Sequence, residues 1–350
     1  MKLLSLLFVF FLAPFCVAIE QINSTQLLQS NNFQPNIVVS SNTKVKKKLL
    51  FVNSYHKGYL WSDDIEKALM QTLGVEVNPD GSFDTSKSSV QFKIFRMDTK
   101  LNQSEAFIKQ AALSAKAIID EWSPDIVVAC DDNASKYLIV PYFKQSSIPF
   151  IFCGVNWSAS EYGFPTNNVT GMVEVAPTRH TISLLKRYAK GSRIGFIGAN
   201  TYSGRKSVKY IQEKENVPFS GGKLVENYTE WKEVYLNLQS TVDMIFWLNP
   251  IGIKGWDDSE AISFILENTR IPTGASTDAE IQYALMGATK VAAEQGIWSG
   301  KTALRILNGE SPSDIPIKRN RHSQLYINEK LSKKMGITFS AELLERGKVF

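Results

Sequence analysis

Two carboxyl side chains and an amide follow one another at residues 131–133 (Asp, Asp and Asn) of this chain. Neighbouring carboxylates are groups that general acid–base catalysis uses, and they also accept hydrogen bonds from the ammonium or hydroxyl groups of a small molecule. A second polar cluster follows at Gly154, Asn156 and Trp157. Two such clusters so close in sequence indicate a site that either transforms or binds a polar ligand.

Signatures of catalysis are scarce elsewhere in the sequence. The three histidines, His56, His180 and His322, have no spacing typical of a metal site or of a nucleophile with its base. The nearest likeness to a phosphate-binding loop, at residues 198–207, is broken by an extra residue and an arginine. The sequence therefore predicts no enzyme, no metal site and no cofactor, with a hydrolase that uses the two neighbouring aspartates as the alternative.

The two aspartates also have a purely structural interpretation. Asp131 or Asp132 can cap a helix that is predicted to begin near Ala134, because a carboxylate there accepts a free backbone N–H. In a binding site, Asp131 would instead bind the ligand together with Asn133 and Asn156. The sequence allows both roles.

Both polar clusters come directly after an apolar run of strand length, at residues 125–130 and 148–153. A continuous apolar run is typical of a strand that is buried on both faces of a parallel sheet. Ligands of open α/β sheets bind just beyond the carboxyl ends of such strands. Cys130 and Cys153 lie at these two strand ends, and we expect two buried free thiols there, with a disulfide as the alternative.

Strand and helix patterns alternate along the rest of the chain in two successive blocks. This alternation predicts the α/β fold class, with two lobes that each contain a parallel sheet. The first lobe is predicted at residues 44–173, with residues 288–315 crossing back to it. The second is predicted at residues 174–287, and residues 316–350, whose lobe the sequence does not decide, are grouped with it.

Two helices have well-marked patterns. The helix predicted at residues 104–122 is amphipathic, and its expected buried face consists of Phe107, Ala111, Ala115, Ile118 and Trp122. Asp63 and Glu66 have the spacing of a capping box, which places the start of an earlier helix near Asp63.

The first residues have the pattern of a secretory signal peptide. A basic start at Lys2 precedes an apolar run that is shorter than the roughly 20 residues of a membrane span. Cleavage is predicted near Ala18, which gives a signal peptide at residues 1–18 and a flexible leader at residues 19–43. A membrane helix and a lipoprotein signal at Cys16 are the alternatives. The protein is therefore predicted to be exported as a soluble protein.

The formal net charge of +5 is spread along the chain, apart from a basic run at residues 44–48. Such a run can contact nucleic acid, but a solvated lead-in to a buried strand is expected here. No nucleic-acid partner is predicted.

Several motifs resemble those of ABC-transporter substrate-binding proteins related to tryptophan-binding proteins. In the first half they lie at residues 51–64 (FVNSYHKGYLWSDD), 129–134 (ACDDNA), 152–157 (FCGVNW) and 169–174 (VTGMVE). In the second half they lie at residues 294–296, 306–309, 312–317, 325–328 and 335–337. The resemblance extends from about residue 47 to the C-terminus and is a family-level signal.

This resemblance implies a type I periplasmic-binding-protein fold, in which two Rossmann-like lobes joined by a hinge enclose a ligand. By analogy, the cleft takes residues from the loops at 54–61, 131–133, 154–157, 200–202, 249–250 and 275–278. The predicted ligand-binding residues are Ser54, Tyr55, Tyr59, Trp61, Asp131, Asp132, Asn133, Gly154, Asn156, Trp157, Glu174, Thr201, Tyr202, Asn249, Ser276, Thr277 and Asp278.

The resulting hypothesis is a periplasmic solute-binding protein of an ABC transporter. It would close over a small polar, amino-acid-like ligand, aromatic amino acids included, with aromatic side chains stacking on the ligand and Ser276 and Thr277 adding hydrogen bonds. The expected partners are this small-molecule ligand and a permease in the inner membrane, and the protein is expected to be a monomer. The alternative is a sensory module that presents its ligand to a membrane receptor kinase.

Overall fold

The computed structural model describes residues 45–350, except for the side chains of residues 202, 203, 278 and 279. The predicted signal peptide and leader, at residues 1–18 and 19–43, lie outside this part of the chain. Within residues 45–350, none of the helices combines the length and the apolar composition that crossing a membrane requires.

Strands and helices alternate along nearly the whole described chain. The strands are β1 (Lys47–Asn53), β2 (Glu76–Val77), β3 (Phe83–Asp84), β4 (Val90–Arg96), β5 (Ile126–Cys130), β6 (Phe150–Asn156), β7 (Val169–Glu174), β8 (Ile194–Ala199), β9 (Gly221–Val225), β10 (Met244–Trp247), β11 (Thr273–Ala275), β12 (Met286–Lys290), β13 (Lys318–Arg319), β14 (Ser323–Ile327) and β15 (Gly347–Val349). The α-helices are α1 (Leu60–Leu73), α2 (Glu105–Trp122), α3 (Asp131–Ala134), α4 (Thr178–Leu185), α5 (Tyr202–Glu213), α6 (Tyr228–Thr241), α7 (Asp258–Asn268), α8 (Asp278–Ile281), α9 (Ala292–Leu307), α10 (Glu329–Met335) and α11 (Ala341–Arg346). A π-helix (Ser135–Phe143) and two short 3₁₀ turns (Ser160–Tyr162 and Pro312–Asp314) complete the described elements.

Two sheets form the cores of two lobes. The first sheet has six strands in the order β13-β7-β6-β5-β1-β4, and all neighbouring strands are parallel. The second has seven strands in the order β15-β14-β12-β11-β10-β8-β9, where β12 and β14 pair antiparallel and the other neighbouring strands are parallel. The predicted α/β class with parallel sheets in two lobes is confirmed.

The first sheet is buried on both faces, which explains its continuous apolar runs. Every residue of β5 is buried, and so is β6 up to its last residue. The helix α2 and the π-helix cover one face of the sheet, whereas α1 and α9 cover the other. Cys130 and Cys153 are direct neighbours on β5 and β6, and both are buried free thiols.

Two glycines let α9 lie close against α1. A Cβ atom at Gly296 would stand 2.2 Å from the backbone oxygen of Ile65 and 2.8 Å from the backbone nitrogen of Leu69. A Cβ atom at Gly300 would stand 2.8 Å from side-chain atoms of Thr72. The two helices therefore approach more closely than larger side chains would allow.

Aromatic rings fill much of the core of the second lobe. Trp231 of α6 stacks on Tyr235 and on Trp247, with ring centroids 5.0 and 5.4 Å away. Trp256 meets the edge of Trp231 at 5.1 Å. This aromatic cluster joins α6 to β10 and extends to Trp247, the last residue of that strand.

Three segments connect the lobes. The first runs from β7 to α4, the second from β12 to α9, and the third from β13 to β14. Asn320 ties the third crossing to the first, because its side chain accepts a hydrogen bond from the N–H of Val175 at 2.7 Å and donates one to the carbonyl of Val175 at 3.1 Å. Such a set of braced crossings is the arrangement of a hinge.

The start of α1 differs from the prediction. This helix begins at Leu60, so the capping box predicted at Asp63 and Glu66 is wrong. Asp63 instead accepts a hydrogen bond from the backbone N–H of Gly58, at 2.8 Å and outside the helix. Glu66 forms an ion pair with Arg96. The carboxylates therefore hold the loop before α1 and the neighbouring strand, not the end of the helix.

The buried face of α2 is rotated relative to the prediction. Ala111 and Ala115 are buried as expected, but Ile108 and Ile119 complete the face. Phe107, which was predicted to be buried, is 38% exposed. Ile108 and Ile119 are about three helical turns apart and therefore lie on one line along the sheet.

Candidate binding cleft between the lobes

A cavity of about 560 Å³ lies between the two lobes. Small-molecule sites generally have volumes of roughly 300–1,000 Å³. The first lobe contributes Tyr55, Gly58, Tyr59, Leu60, Trp61, Lys100, Asp131, Asn156, Trp157 and Glu174. The first crossing and the second lobe contribute Ala176, Thr178, Gly204, Ser207, Ile211, Phe246, Trp247, Leu248, Asn249, Ser276, Thr277, Glu280 and Lys290. Most of these residues follow or end a strand, so the carboxyl ends of both sheets meet at this cavity.

Aromatic rings form the wall contributed by the loop after β1. Tyr55 and Tyr59 meet edge to face with their ring centroids 5.1 Å apart. The ammonium of Lys100 lies over both rings, at 4.9 and 5.1 Å from their centroids. Burial, followed by the charge of Asp131, raises the pKa of both tyrosines. Both phenols therefore remain protonated at neutral pH, and the wall can pack against an apolar or aromatic ligand group.

Asp131 brings a carboxyl group to the cavity where β5 ends. The residue is 2% exposed, and its Oδ2 atom has no hydrogen-bond partner within residues 45–350. Burial, assisted by the charge of Asp132, raises the pKa of Asp131 to about 7. Its backbone is in the left-handed region, with φ at 71°. A buried carboxyl oxygen without a partner costs free energy, and groups of this kind concentrate at functional sites.

The absence of a side chain at Gly154 makes room for the Asp131 carboxyl group. A Cβ atom at Gly154 would stand 2.6 Å from Oδ1 of Asp131, and the glycine has φ at +67°. Its backbone N–H donates to the buried Oε1 of Gln295 at 3.1 Å. Gly154 does not line the cavity, but its missing side chain permits the position of Asp131.

An ion pair between Glu174 and Lys290 lies at the hinge side of the cavity. Glu174 ends β7 and Lys290 ends β12, so the pair joins the first two crossings. The ammonium of Lys290 also lies 4.8 Å from the centroid of the Trp61 ring. Burial lowers the pKa of Lys290 to about 8, although the charge of Asp131 opposes this effect. The lysine is therefore still mainly protonated at neutral pH.

Asp132 stabilises the first-lobe wall through hydrogen bonds to neighbouring side chains. It accepts one from the amide of Asn156 and one from the hydroxyl of Tyr162, both at 2.6 Å. Because these donors satisfy its carboxylate, Asp132 fixes the orientation of Asn156, which lines the cavity.

The predicted capping role of Asp131 or Asp132 is wrong. The helix α3 begins at Asp131 itself, directly after β5. Ser54 supplies the hydrogen bonds instead: its hydroxyl accepts the N–H of Ala134 at 2.9 Å and donates to the carbonyl of Cys130 at 2.5 Å. A residue far away in sequence thus satisfies the start of this helix.

The second lobe presents hydroxyl groups and a carboxylate. Ser276 follows β11, and its hydroxyl is 3.0 Å from that of Thr181. The hydroxyl of Thr277 donates to the carboxylate of Glu280, a residue that is 2% exposed. These groups line the same cavity as the aromatic rings and the Asp131 carboxyl group of the first lobe.

Two contacts hold α5 against the first lobe, and we refer to them as the α5 contacts. The ring of Trp157 stacks on Tyr210, with centroids 5.8 Å apart and planes 17° from parallel. The ammonium of Lys206 is 2.7 Å from the carboxylate of Glu161. Each contact pairs a residue of α5 with one of the first lobe, so the two lobes touch directly beside the cavity.

The structure brings many of the predicted ligand-binding residues together. Those on the cavity surface are Tyr55, Tyr59, Trp61, Asp131, Asn156, Trp157, Glu174, Asn249, Ser276 and Thr277. Those that do not line it are Ser54, Asp132, Asn133, Gly154 and Thr201. Asn133 donates to the hydroxyl of Thr99 at 2.9 Å, and Thr201 accepts the N–H of Gly204 at 3.0 Å, so both support the wall. Tyr202 and Asp278 stand at positions whose side chains are outside the description.

Three charged residues on the cavity were missed from the sequence. Lys100 comes shortly after β4, Lys290 ends β12, and Glu280 lies in α8 after β11. The strand-end argument that identified Asp131 applies to each of them. Lys100 and Glu280 lack the preceding apolar run that made the β5 end conspicuous, because β4 alternates and β11 is short.

Several solved structures have the same fold. The ligand-free, open structure of CD0873, a substrate-binding protein from Clostridium difficile, is 18% identical, with a TM-score of 0.62 over 87% of this chain and 99% of that one. An ABC domain from Streptococcus pneumonia in complex with L-Trp is 17% identical, with a TM-score of 0.59 and the same coverage. A conserved domain protein from Vibrio cholerae is 16% identical, with a TM-score of 0.58 over 87% and 99%. These likenesses establish the type I periplasmic-binding-protein fold.

Sequence comparison then identifies the family. A search of curated proteins gives no match. The sequence model of ABC transporter substrate-binding proteins matches residues 88–349, which is most of the chain and includes the ends of β5, β6 and β7 at the cavity. The family comprises substrate-binding proteins, not a class of enzymes. The chain belongs to the ABC transporter substrate-binding protein family.

Proposed function

We propose that this protein is the periplasmic solute-binding component of an ABC transporter and that it closes its lobes over a small amino-acid-like ligand, aromatic amino acids included. One observation carries this proposal. In a cavity walled by aromatic rings, the buried carboxyl group of Asp131 has an oxygen without a hydrogen-bond partner in the described residues.

The Asp131 carboxyl group supports an ammonium-bearing ligand. Leaving a buried polar group unpaired costs roughly 1–3 kcal/mol, and more for a charged one. A ligand ammonium would satisfy the free oxygen and favour the ionised acid. The other end of an amino acid, a carboxylate, would find the hydroxyl groups of Ser276 and Thr277 and the ammonium of Lys290, which it would share with Glu174, on the same cavity.

The aromatic walls support a planar or apolar side group on the ligand. The rings of Tyr55, Tyr59, Trp61 and Trp157 all lie on the cavity. Aromatic rings favour edge-to-face or offset stacking with other rings. The solved structure with L-Trp bound belongs to a protein of the same fold, which agrees with an aromatic amino acid as the first candidate.

Family membership and the hinge support transport. The three crossings let the lobes rotate around a site at their junction, so a ligand that binds both walls favours the closed form. A permease in the inner membrane is then the partner that receives the closed protein. The signal peptide predicted at residues 1–18 agrees with export to the periplasm, and binding without chemical change is the expected activity.

The test begins with native mass spectrometry of the protein purified from its own host, which identifies any retained small molecule. Isothermal titration calorimetry with the twenty amino acids then measures affinity. An amino acid is expected to bind, and Asp131→Asn at pH 8 is expected to weaken that binding by about tenfold or more. The exposed Leu113→Ala on α2 serves as the control and should leave affinity unchanged.

The pH dependence of binding sharpens this test. Because the pKa of Asp131 is about 7 in the free protein, an ammonium ligand must remove its proton at lower pH. Affinity should therefore fall as pH decreases from 8 to 5.5, and Asp131→Asn should abolish that fall. If no amino acid binds and no small molecule is retained, or if Asp131→Asn binds as tightly as the wild type, the proposed function is wrong.

A further inference from the structure

A second cavity, of about 300 Å³, lies on the other side of the hinge crossings. We call it the hinge pocket. Its lining comes from the first crossing, the end of α5 and the third crossing, and consists of Val175, Pro177, Arg179, His180, Lys214, Glu215, Arg319, Asn320, Arg321 and His322. It shares none of these residues with the cleft described above.

The first crossing separates the two cavities by a single extended chain. Glu174, Ala176 and Thr178 line the cleft, whereas Val175, Pro177 and Arg179 line the hinge pocket. From Glu174 to Pro177 this alternation is that of an extended backbone, whose successive side chains point to opposite sides, and α4 begins at Thr178. The hinge pocket is thus a separate site with one wall in common with the cleft.

The charge of the hinge pocket is strongly positive. Arg179, Lys214, Arg319 and Arg321 line it, and Glu215 is the acid among the lining residues. Glu215 is already paired with Arg319 at 2.7 Å. For Arg179, Lys214 and Arg321, none of the carboxylates whose side chains the structure describes lies at ion-pair distance. Four cationic side chains and one carboxylate therefore line this concave site, and the carboxylate of Glu294 lies 3.8 Å from the imidazole of His322, so the site keeps a net positive charge.

The backbone beneath these charges is fixed. Asn320 makes two hydrogen bonds to the backbone of Val175, at 2.7 and 3.1 Å. Glu294 of α9 accepts the backbone N–H of Arg321 at 2.9 Å and that of His322 at 2.8 Å. A ligand at this site would meet positions that are already ordered, which lowers the entropic cost of binding.

We propose that the hinge pocket binds a small, multiply charged phosphate group. Arginine guanidinium groups match the paired oxygens of phosphate with two parallel hydrogen bonds, and a lysine adds a further charge. Three unpaired cations suit an anion of charge two or more. The volume admits a phosphate and a few further atoms but is at the lower limit for larger ligands.

The same chemistry could come from a free phosphate compound or from the headgroup of an anionic lipid. Calorimetry of the purified protein with inorganic phosphate and with pyrophosphate, at low ionic strength, tests the free anions. Flotation with phosphatidylglycerol vesicles, compared with phosphatidylcholine vesicles, tests the lipid. Pyrophosphate should bind more tightly than phosphate because it carries more charge, and added chloride should weaken both.

The double variant Arg179→Gln/Arg321→Gln should lower the affinity for pyrophosphate by about tenfold or more. The variant Arg187→Gln/Arg270→Gln has the same loss of charge outside the pocket and should change affinity by less than about twofold. Lys214→Gln alone is an independent variant with an expected intermediate loss. Circular dichroism confirms that each variant is folded.

The outcomes of these binding experiments test the hinge pocket independently of ligand binding in the cleft. Saturable binding of the free anions that the pocket variants weaken supports the proposal with a soluble ligand. Binding to phosphatidylglycerol vesicles alone, again lost in the pocket variants, supports it with a lipid headgroup. No saturable binding of any probe, or an equal loss in the Arg187→Gln/Arg270→Gln control, overturns it.

Discussion

The fold places the carboxyl group of Asp131 in a buried position that disfavours its ionised form. The residue is buried, one of its oxygens is unpaired, and burial raises its pKa to about 7. In an unfolded chain an aspartate has a pKa near 3.9. The folded protein therefore holds a proton that the unfolded chain releases between these values, and the native state loses stability as pH rises through that window.

Asp131→Asn should stabilise the ligand-free protein at alkaline pH. The gain is about 4 kcal/mol at most at pH 8, since it removes the cost of ionising the buried acid, and it should vanish near pH 4. Asparagine tolerates the left-handed backbone at this position. Chemical denaturation at both pH values measures the difference, with the exposed Asp64→Asn as control. A variant that is less stable than wild type at pH 8 would contradict the raised pKa.

Individual residues of the cavity could be predicted from the sequence where they follow the end of a strand. Asp131, Asn156, Trp157 and Glu174 were found because each follows or ends a recognisable apolar strand. The roles of Ser54 and Asp132 could not be found, because their hydrogen-bond partners lie far away in sequence. Which polar side chain faces the ligand and which one supports the wall is decided by tertiary contacts that a sequence pattern does not contain.

At the scale of elements, α9 packs closely on α1 because α9 has glycines at positions 296 and 300. At Gly296 a Cβ atom would meet backbone atoms of α1, which cannot move independently of the helix. At Gly300 it would meet Cβ and Cγ2 of Thr72 at 2.8 Å, which is a smaller overlap than the 2.2 Å contact at Gly296. The two glycines therefore differ in how much a methyl group would cost.

Gly296→Ala should lower the free energy of unfolding by about 2 kcal/mol, because overpacking outweighs the gain of about 1 kcal/mol in helix propensity. Gly300→Ala, on the same helix, should cost clearly less. Urea denaturation of the two variants and the wild type gives the ranking. If Gly300→Ala proves the more damaging change, the close approach at Gly296 is not what limits the packing.

The order of the elements was predictable, whereas their fine placement was not. The alternation of strands and helices gave both lobes, because burial on both faces of a parallel sheet leaves long apolar runs such as β5 and β6. The face of α2 was misassigned because Phe107 is apolar but lies at the edge of the buried stripe. The start of α1 was misassigned because Asp63 binds the loop before the helix.

For the whole molecule, the angle between the lobes depends on the hinge crossings and on the α5 contacts. The crossings permit rotation, and the α5 contacts oppose opening because Lys206 and Tyr210 are held by Glu161 and Trp157. The ion pair is mostly shielded, since the two side chains are 15% and 31% exposed. A partly shielded pair is stronger than a fully exposed one.

Charge reversal at one partner should open the lobes. In Lys206→Glu, two carboxylates would face each other, and small-angle X-ray scattering should report a larger radius of gyration for the ligand-free protein. The exchange Lys206→Glu/Glu161→Lys should restore the wild-type value because it re-forms the pair. Lys223→Glu, which removes a more exposed pair within the second lobe, is the control and should leave the radius unchanged. An equal radius in all four proteins would show that this pair does not influence the lobe angle.

The aromatic cluster of the second lobe has an optical consequence. Trp231, Trp247 and Trp256 lie close enough to pass excitation energy from one indole to another, so light absorbed by any of them can be emitted by a neighbour. Trp247 also borders the cavity. A ligand in the cavity therefore changes the surroundings of Trp247, which receives excitation energy from the other two indoles. The intrinsic tryptophan fluorescence of the chain should therefore report whether the cavity is occupied, without an added dye.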